Sequence, residues 1–310
     1  MRVVFMGSAA FSCPALNAVR EAGRDDVVGV VCQPDRPQGR HLAVRPCPVR
    51  AAALTAGIPA LTPDRVNAAA SVAEIRAFRP EVAVVVAYGQ ILSPAVLAIP
   101  PRGCLNIHAS LLPRYRGAAP IQWAVAAGEA GTGVTAIFMN ERMDAGDIIR
   151  QRSVPIGPDD TGGSLQDRLA AEGAALLVAV LDDLRDGRMT RTPQAEAEAT
   201  LAPKLRKEDG RIVWTWPADR VHNRVRGFNP WPGCFCREPA GGRALKLLKT
   251  RVEAGGGPPG TVLDAAGEAP LVAAGGGAVR LLHVQPEGRK AMSGADYARG
   301  HHLQRGDVLG

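Results

Sequence analysis

Short apolar runs separated by helical patterns constrain the fold of this chain more than any other feature. The run Val82–Val86 is almost entirely β-branched and lacks the polar alternation of a half-exposed strand. We therefore predict a strand that is buried on both faces. Similar runs lie at 3–6, 27–31 and 104–107, with helical patterns between them. This alternation predicts an α/β fold, a Rossmann-like, doubly wound and mostly parallel sheet with right-handed crossovers.

The pattern changes near residue 187. Residues 188–209 lack apolar periodicity and are predicted to be a linker. Beyond them, Gly and Pro separate short predicted strands at 233–237, 244–252, 260–263, 270–273 and 278–284. Short strands at close spacing predict a small, OB-like β-barrel. We therefore expect an α/β domain at 1–187 and a β-barrel domain at 210–310.

Charge is distributed unevenly between the two predicted domains. Residues 1–189 hold 19 Arg, no Lys and 18 acidic residues, whereas residues 190–310 hold 18 basic and 12 acidic residues. The stretch 203–251 alone has 12 basic and 4 acidic residues. A near-neutral N-terminal part and a basic C-terminal part indicate that the C-terminal part binds a polyanion such as a nucleic acid. The alternative, a solvated face that aids solubility, stays open from charge alone.

Several protein classes lack their sequence signatures here. Gly7-Ser8-Ala9-Ala10 after the first predicted strand is not G-x-G-x-x-G, and no Walker A loop, G-x-S-x-G elbow or H-E-x-x-H motif occurs. The six cysteines form no C-x-x-C pair and indicate buried thiols in a reducing compartment. The run at 82–87 is too short to cross a bilayer. We expect a cytoplasmic protein with no metal and no membrane partner.

Three polar side chains are the candidates for chemistry. Asn106 and His108, two apart at the end of a predicted strand, would share one face of the sheet. Asp144 lies in a predicted turn between two strands and could bring a carboxylate to the same crevice. An amide, an imidazole and a carboxylate that meet there would suit acyl-type transfer. Taken singly, His108 could be structural and Asp144 could form an Asx turn.

Six sequence blocks together carry a resemblance to a known family. They are residues 4–8 (VFMGS), 33–37 (QPDRP), 85–89 (VVAYG), 106–120 (NIHASLLPRYRGAAP), 144–147 (DAGD) and 228–233 (FNPWPG). The fourth and fifth blocks are similar to those of transferases that use 10-formyltetrahydrofolate. The last block and the long basic C-terminal region resemble the methionyl-tRNA formyltransferase family. The resemblance covers nearly the whole chain.

The resemblance implies roles for individual residues. Asn106, His108 and Asp144 would be the catalytic residues. The folate would contact two segments, at Ser110, Leu111, Leu112 and Pro113 and at Tyr88, Gly89, Ile91 and Leu92. The tRNA would contact Arg36, Arg40 and Arg45 of the loop at 34–50 and Lys204, Arg206 and Lys207 of the linker. That loop reads Gly39-Arg40-His41-Leu42-Ala43, without the lysines that many relatives carry, so it is less basic than usual.

The implied activity is transfer of a formyl group from 10-formyltetrahydrofolate to the α-amino group of initiator methionyl-tRNA. The α/β domain at 1–187 would be catalytic, and the barrel at 210–310 would hold the tRNA. We expect a monomer, and we expect that no metal is needed because the formyl donor is already reactive. Three alternatives stay open at this point: a formyltransferase for a small amine such as an amino-sugar nucleotide, a hydrolase that releases formate, and a non-catalytic RNA-binding relative.

Overall fold

The computed structural model describes residues 1–38, 43–239 and 242–310. The chain forms two compact units and passes between them more than once. Unit 1 contains Met1–Pro120, Thr132–Pro155 and Gln166–Ala202, and unit 2 contains Ile121–Gly131, Ile156–Leu165 and Pro203–Gly310. The domain and linker bounds taken from the sequence, 1–187, 188–209 and 210–310, stay a prediction.

A mixed seven-stranded sheet organises unit 1. The strands of this part of the chain are β1 (Arg2–Gly7), β2 (Asp26–Val31), β3 (Arg36–Gln38), β4 (Ala43–Arg45), β5 (Ala60–Leu61), β6 (Val82–Val86), β7 (Cys104–His108), β8 (Arg116–Gly117), β9 (Gly131–Phe138), β10 (Asp147–Pro155) and β11 (Leu201–Ala202). The sheet order is β10-β9-β7-β6-β1-β2-β5. The pairs from β5 to β7 are parallel, whereas β9 runs antiparallel to β7. This confirms the predicted α/β class.

Eight helices connect the strands of the described chain. They are α1 (Cys13–Ala22), α2 (Pro48–Thr55), α3 (Ala69–Ala77), α4 (Pro94–Leu97), α5 (Pro120–Ala126), α6 (Gly162–Arg185), α7 (Ala218–Gly227) and α8 (Gly294–Gly300). A proline occupies the first turn of α1, α2 and α4, where its missing N–H costs no hydrogen bond. Crossovers of this kind leave the carboxyl ends of the parallel strands open at one edge of the sheet.

Burial of the central strand anchors this edge. Every residue of β6 is buried, as its apolar run predicts, and each fully buried valine contributes about 1.5 to 2 kcal/mol. Val85 and Tyr88 belong to an apolar cluster that also includes Val4, Ile75 and Leu92. The strand and the turn that follows it are therefore fixed by packing, and β7 is held beside them.

Unit 2 contains an antiparallel sheet. Its strands are β12 (Cys234–Arg237), β13 (Ala244–Glu253), β14 (Val262–Asp264), β15 (Leu271–Ala273), β16 (Ala278–Pro286) and β17 (Met292–Ser293). The order is β12-β13-β16-β15-β14, with β17 also on β16. The first five of these strands lie where short strands were predicted from the sequence. The two-residue β17 and the helix α8 that follows it were not predicted.

Two findings bear on the environment predicted from the sequence. In the described ranges, no helix combines the length and the apolar character that a membrane crossing requires. All six cysteines are free thiols, and five of them are buried. Burial alone raises the pKa of the Cys104 thiol to about 12, so this sulfur is kept in its neutral form.

Candidate active site

Asn106 and His108 lie at the carboxyl end of β7, and both polar side chains are buried. Strand β7 is paired on both sides, because Asn106 lies opposite Val85 of β6 and Ile137 of β9. Residues two apart on a strand point to the same face, so the amide and the imidazole share one side of the sheet. A central, doubly paired strand thus positions both groups.

Asp144 brings a carboxylate to this place from the turn between β9 and β10. Its Oδ1 accepts a hydrogen bond from Asn106 Nδ2 at 3.4 Å, and its Oδ2 lies 3.6 Å from His108 Nδ1. The backbone N–H of Gly117 donates to Oδ2 at 2.9 Å. These partners lie on distant segments, which a purely local Asx turn would not require. The structure therefore brings together the three side chains that the sequence grouped.

The backbone of the next loop orients the His108 ring. His108 Nε2 lies 2.9 Å from the carbonyl oxygen of Tyr115. A carbonyl oxygen only accepts hydrogen bonds, so Nε2 carries a hydrogen in this arrangement. The other nitrogen, Nδ1, is the one on the Asp144 side. A proton on Nδ1 would therefore have the carboxylate as its partner.

Two further polar residues support the Asp144 turn, and sequence reasoning missed both. Gln194 Nε2 donates to the carbonyl oxygens of Asp144 at 2.8 Å and of Gly146 at 2.7 Å. The buried Arg116 donates to Gln194 Oε1 and to Glu196. The Arg116 hydrogen bond also holds the pKa of Glu196 below its ordinary range. No apolar period marks the predicted linker around Gln194, so only the residue type itself carried a signal there.

The segment predicted to line the folate site, 110–113, directly follows β7. The Ser110 side chain is fully buried, and its Oγ donates to the carbonyl oxygen of Arg114 at 2.6 Å. This hydroxyl shapes its loop, as expected for a serine outside a nucleophile elbow. Leu112 is buried, and two other side chains of the segment are partly exposed, those of Leu111 and Pro113.

A buried threonine of β9 braces this segment. Thr135 Oγ1 donates to the carbonyl oxygen of Ser110 at 2.6 Å and accepts from the N–H of Leu112 at 3.1 Å. Gln151 of β10 donates both to Thr135 Oγ1 and to the carbonyl oxygen of Leu112, each at 2.9 Å. The loop is therefore tied to two neighbouring strands of the sheet. Sequence reasoning did not single out either of these residues.

The second segment predicted to contact the folate, 88–92, follows β6. Tyr88 and Leu92 are buried in the apolar cluster, so they can offer only backbone atoms to a ligand. Gly89 has a φ of 89°, a conformation that glycine adopts without strain. Ile91 is 70% exposed, which is unusual for so apolar a side chain.

The two segments fit a flat heterocyclic ligand. They follow adjacent parallel strands, and ligands of such sheets bind beyond the carboxyl ends of the strands. Ile91 and Leu111 supply apolar side chains, and Gly89 exposes backbone polar groups. A ring with apolar faces and polar edges needs this combination. In the part of the chain that the structure describes, no group of three His, Cys, Asp or Glu side chains is arranged to hold a metal ion.

The residues predicted to contact tRNA fall into two groups. Arg36 and Arg45 pair across the β3–β4 hairpin, where the Arg45 side chain is exposed. Arg40 lies outside the described residues, and only the backbone of Arg36 is described. The other group lies in unit 2 and is exposed throughout, at Lys204, Arg206 and Lys207. The described members are thus available to a partner in solution.

Solved structures share this fold. HypX from Aquifex aeolicus, in complex with tetrahydrofolic acid, matches 98% of this chain with a TM-score of 0.65 at 20% identity. The match covers 48% of the HypX chain, so this chain spans about half of its length. An N-formyltransferase from Helicobacter canadensis, in complex with folinic acid and dTDP-3-aminofucose, matches 92% of this chain and 99% of its own with a TM-score of 0.68 at 14% identity.

Relatives found by sequence have a higher sequence identity to this chain than these solved structures do. A family model described as "Formyl transferase" matches residues 1–181, and one described as "Formyl transferase, C-terminal domain" matches residues 204–302. A methionyl-tRNA formyltransferase from Sorangium cellulosum is 46% identical over 318 residues, covering 100% of both chains. One from Geobacter metallireducens is 45% identical and covers 100% of this chain and 99% of its own. This chain therefore belongs to the formyl transferase family.

Proposed function

We infer that this chain transfers a formyl group from 10-formyltetrahydrofolate to the α-amino group of initiator methionyl-tRNA, and so acts in translation initiation. The observation that carries this inference is the convergence of Asn106, His108 and Asp144 at the end of β7. Asp144 Oδ1 lies 3.4 Å from Asn106 Nδ2, and Asp144 Oδ2 lies 3.6 Å from His108 Nδ1. Full-length relatives with this activity in their names, 46% and 45% identical, support the tRNA as acceptor.

Segments 110–113 and 88–92 would hold the folate. Their exposed apolar side chains would contact the faces of the ring, and the backbone around Gly89 would bond its edge. When bound, the formylated folate supplies a reactive carbonyl carbon for attack by the methionine amine. A typical α-amine has a pKa near 8, so a usable neutral fraction exists at neutral pH. The chemistry therefore requires no nucleophilic side chain of the enzyme.

Asn106 and His108 act on the carbonyl oxygen, where negative charge develops as the amine attacks. A preorganised donor of this kind stabilises the transition state by roughly 3 kcal/mol. The carbonyl of Tyr115 holds the Nε2 hydrogen of His108, so Nδ1 is the ring nitrogen that exchanges a proton, and it donates only when the ring carries both hydrogens. Asp144 fixes the ring and gives a proton on Nδ1 its partner. The proton lost by the amine then passes through this pair to N10 of the folate as the bond between N10 and the formyl carbon breaks, so the formyl group stays on the methionine nitrogen.

The partners and location follow from the same proposal. The tRNA phosphates would be bound by Lys204, Arg206 and Lys207 of the predicted linker. They would also be bound by three arginines of the sequence segment 34–50, Arg36, Arg40 and Arg45. We place the enzyme in the cytoplasm, where its tRNA and folate are found, and expect it to act as a monomer. Phosphate contacts would dominate the affinity for tRNA.

One assay tests the function directly. Purified protein is incubated with 10-formyltetrahydrofolate and methionyl-tRNA, an amino-sugar nucleotide or no acceptor, and products are separated. We expect formylmethionyl-tRNA, little formylated sugar and little formate. Efficient formylation of the sugar would support the small-amine alternative and overturn the proposal. Formate release without an acceptor would indicate a hydrolase, and tRNA binding without any product would indicate a non-catalytic relative.

A further inference from the structure

We propose that Gln194 is a positioning residue that holds the Asp144 turn so that its carboxylate reaches Asn106 and His108. This inference rests on the proposed function, because it assigns a role in the same reaction. It concerns a segment that the sequence indicated only as a linker. All the residues involved belong to unit 1.

The Asp144 turn needs external support. Asp144 has a φ of 52°, in the left-handed region that non-glycine residues seldom adopt. The turn also packs tightly against the end of β9, because a Cβ added to Gly146 would lie 1.8 Å from the carbonyl oxygen of Phe138. A strained turn of this kind persists only where surrounding contacts over-determine it.

Gln194 supplies such contacts with both ends of its amide. Its Nε2 donates one hydrogen bond to the carbonyl oxygen of Asp144 and one to that of Gly146. Its Oε1 accepts from Arg116 Nε at 3.1 Å and from Arg116 Nη2 at 2.7 Å. A guanidinium only donates and a carbonyl only accepts, so the amide has a single orientation that satisfies all four bonds.

The contacts close into a ring around the carboxylate. Arg116 precedes Gly117, and the Gly117 N–H donates to Asp144 Oδ2. Strand β8 thus holds the carboxylate directly through Gly117 and holds the backbone of the same residue through Arg116 and Gln194. The pairing of β8 with β11 fixes the chain that follows Gln194. Loss of Gln194 opens the ring at the carbonyl of Asp144.

The residue type is specific to this role. Glutamate at 194 would direct oxygen lone pairs at two carbonyl oxygens and lose both donated bonds, although it would keep the pairing with Arg116. Asparagine is one methylene shorter and would reach either Arg116 or the turn. We therefore expect Gln194→Glu to impair the turn as much as Gln194→Ala does.

Kinetics of single and double variants test the proposal. We expect Gln194→Ala to lower kcat by roughly ten- to a hundredfold with both KM values nearly unchanged, since small displacements of a catalytic group cost that much. In an Asp144→Ala background the same substitution should have little further effect, because the group that it positions is gone. An equal loss in both backgrounds would overturn the proposal.

A second readout does not depend on turnover. In the free protein, the His108 ring NMR signals should shift in Gln194→Ala, and should not shift further when Gln194→Ala is added to Asp144→Ala. Unchanged ring signals in Gln194→Ala would overturn the positioning role even if the wild-type protein fails to formylate methionyl-tRNA. Gln285→Ala is the matched control, because its amide also donates to a backbone carbonyl, that of Arg289, in unit 2. It should change neither kcat nor the ring signals.

Discussion

Thr135 shows how one hydroxyl can organise a binding segment. It lies fully buried on β9 and serves three partners, the carbonyl oxygen of Ser110, the N–H of Leu112 and the amide of Gln151. A buried donor left without a partner costs about 1 to 3 kcal/mol. The segment 110–113 therefore depends on a residue that we do not expect to touch the folate.

We expect Thr135→Val to raise the KM for 10-formyltetrahydrofolate several-fold, because Leu112 loses its acceptor and the loop loosens. The KM for methionyl-tRNA should stay nearly unchanged, and steady-state kinetics with each substrate varied in turn measures both values. Thr132→Val is a matched control on the same strand, since Thr132 Oγ1 is buried with no hydrogen-bond partner among the residues that the structure describes. A comparable effect of both variants on the folate KM would contradict this account.

The sequence predicted some of these residues and not others for a physical reason. Asn106 and His108 were predicted because a two-residue strand period places them on one face. Asp144 stood out because a DAGD turn follows a strand. Gln194 and Thr135 are ordinary polar residues, and their partners lie far along the chain. Only the folded topology brings such pairs together.

At the scale of elements, the pairing of β13 with β16 shows how one glutamate of unit 2 balances the charge of two arginines. Arg251 lies directly opposite Arg280, an arrangement that is unfavourable by itself. Glu253 binds both guanidinium groups. Its Oε1 lies 2.7 Å from Arg251 Nη2, and its Oε2 lies 2.8 Å from Arg280 Nη2. The hydrogen bonds from Arg280 and then Arg251 lower the pKa of Glu253 from 4.5 to about 2.

We expect Glu253→Gln to lower the stability of the protein at neutral pH by roughly 1 kcal/mol, as measured by thermal unfolding. A carboxyl whose pKa is lowered by folding stabilises the native state above its unfolded pKa. That contribution is fully present above pH 4.5 and is lost as the pH falls through about 2. The variant and the wild type should therefore converge over this range, whereas a pH-independent difference would contradict the ion-pair interpretation.

The elements themselves were predictable where their patterns were long. The buried run of β6 and the alternating residues of β13 gave clear signals. The two-residue strands β8, β11 and β17 carry no measurable period, so they could not be predicted. Consequently the segment that includes Gln194 was predicted as a linker, although Leu201–Ala202 pairs with β8.

At the scale of the whole molecule, the uneven charge predicts how substrate binding responds to salt. Unit 2 carries the exposed Lys204, Arg206 and Lys207. Contacts between such cations and phosphates release counterions, so affinity for tRNA falls as salt rises. The folate carries far fewer charges, and its binding should respond weakly.

We expect kcat/KM for methionyl-tRNA to fall steeply with salt while the KM for the folate changes little. Lys207→Ala should reduce the slope of the logarithmic plot by about 1, because one phosphate contact is lost. Lys290→Ala is the control, since Lys290 is also exposed but lies outside the proposed contact set. A flat response to salt in the wild type would contradict the tRNA contact assigned to this basic segment.

The central claim is that an amide, an imidazole and a carboxylate act together on one carbonyl group. Single-turnover formylation of methionyl-tRNA at saturating folate, with tRNA binding measured in parallel, tests it most directly. Asn106→Ala, His108→Ala and Asp144→Ala should each slow the step by on the order of a hundredfold or more while the tRNA still binds. A near-normal rate in any one of the three variants would contradict the account.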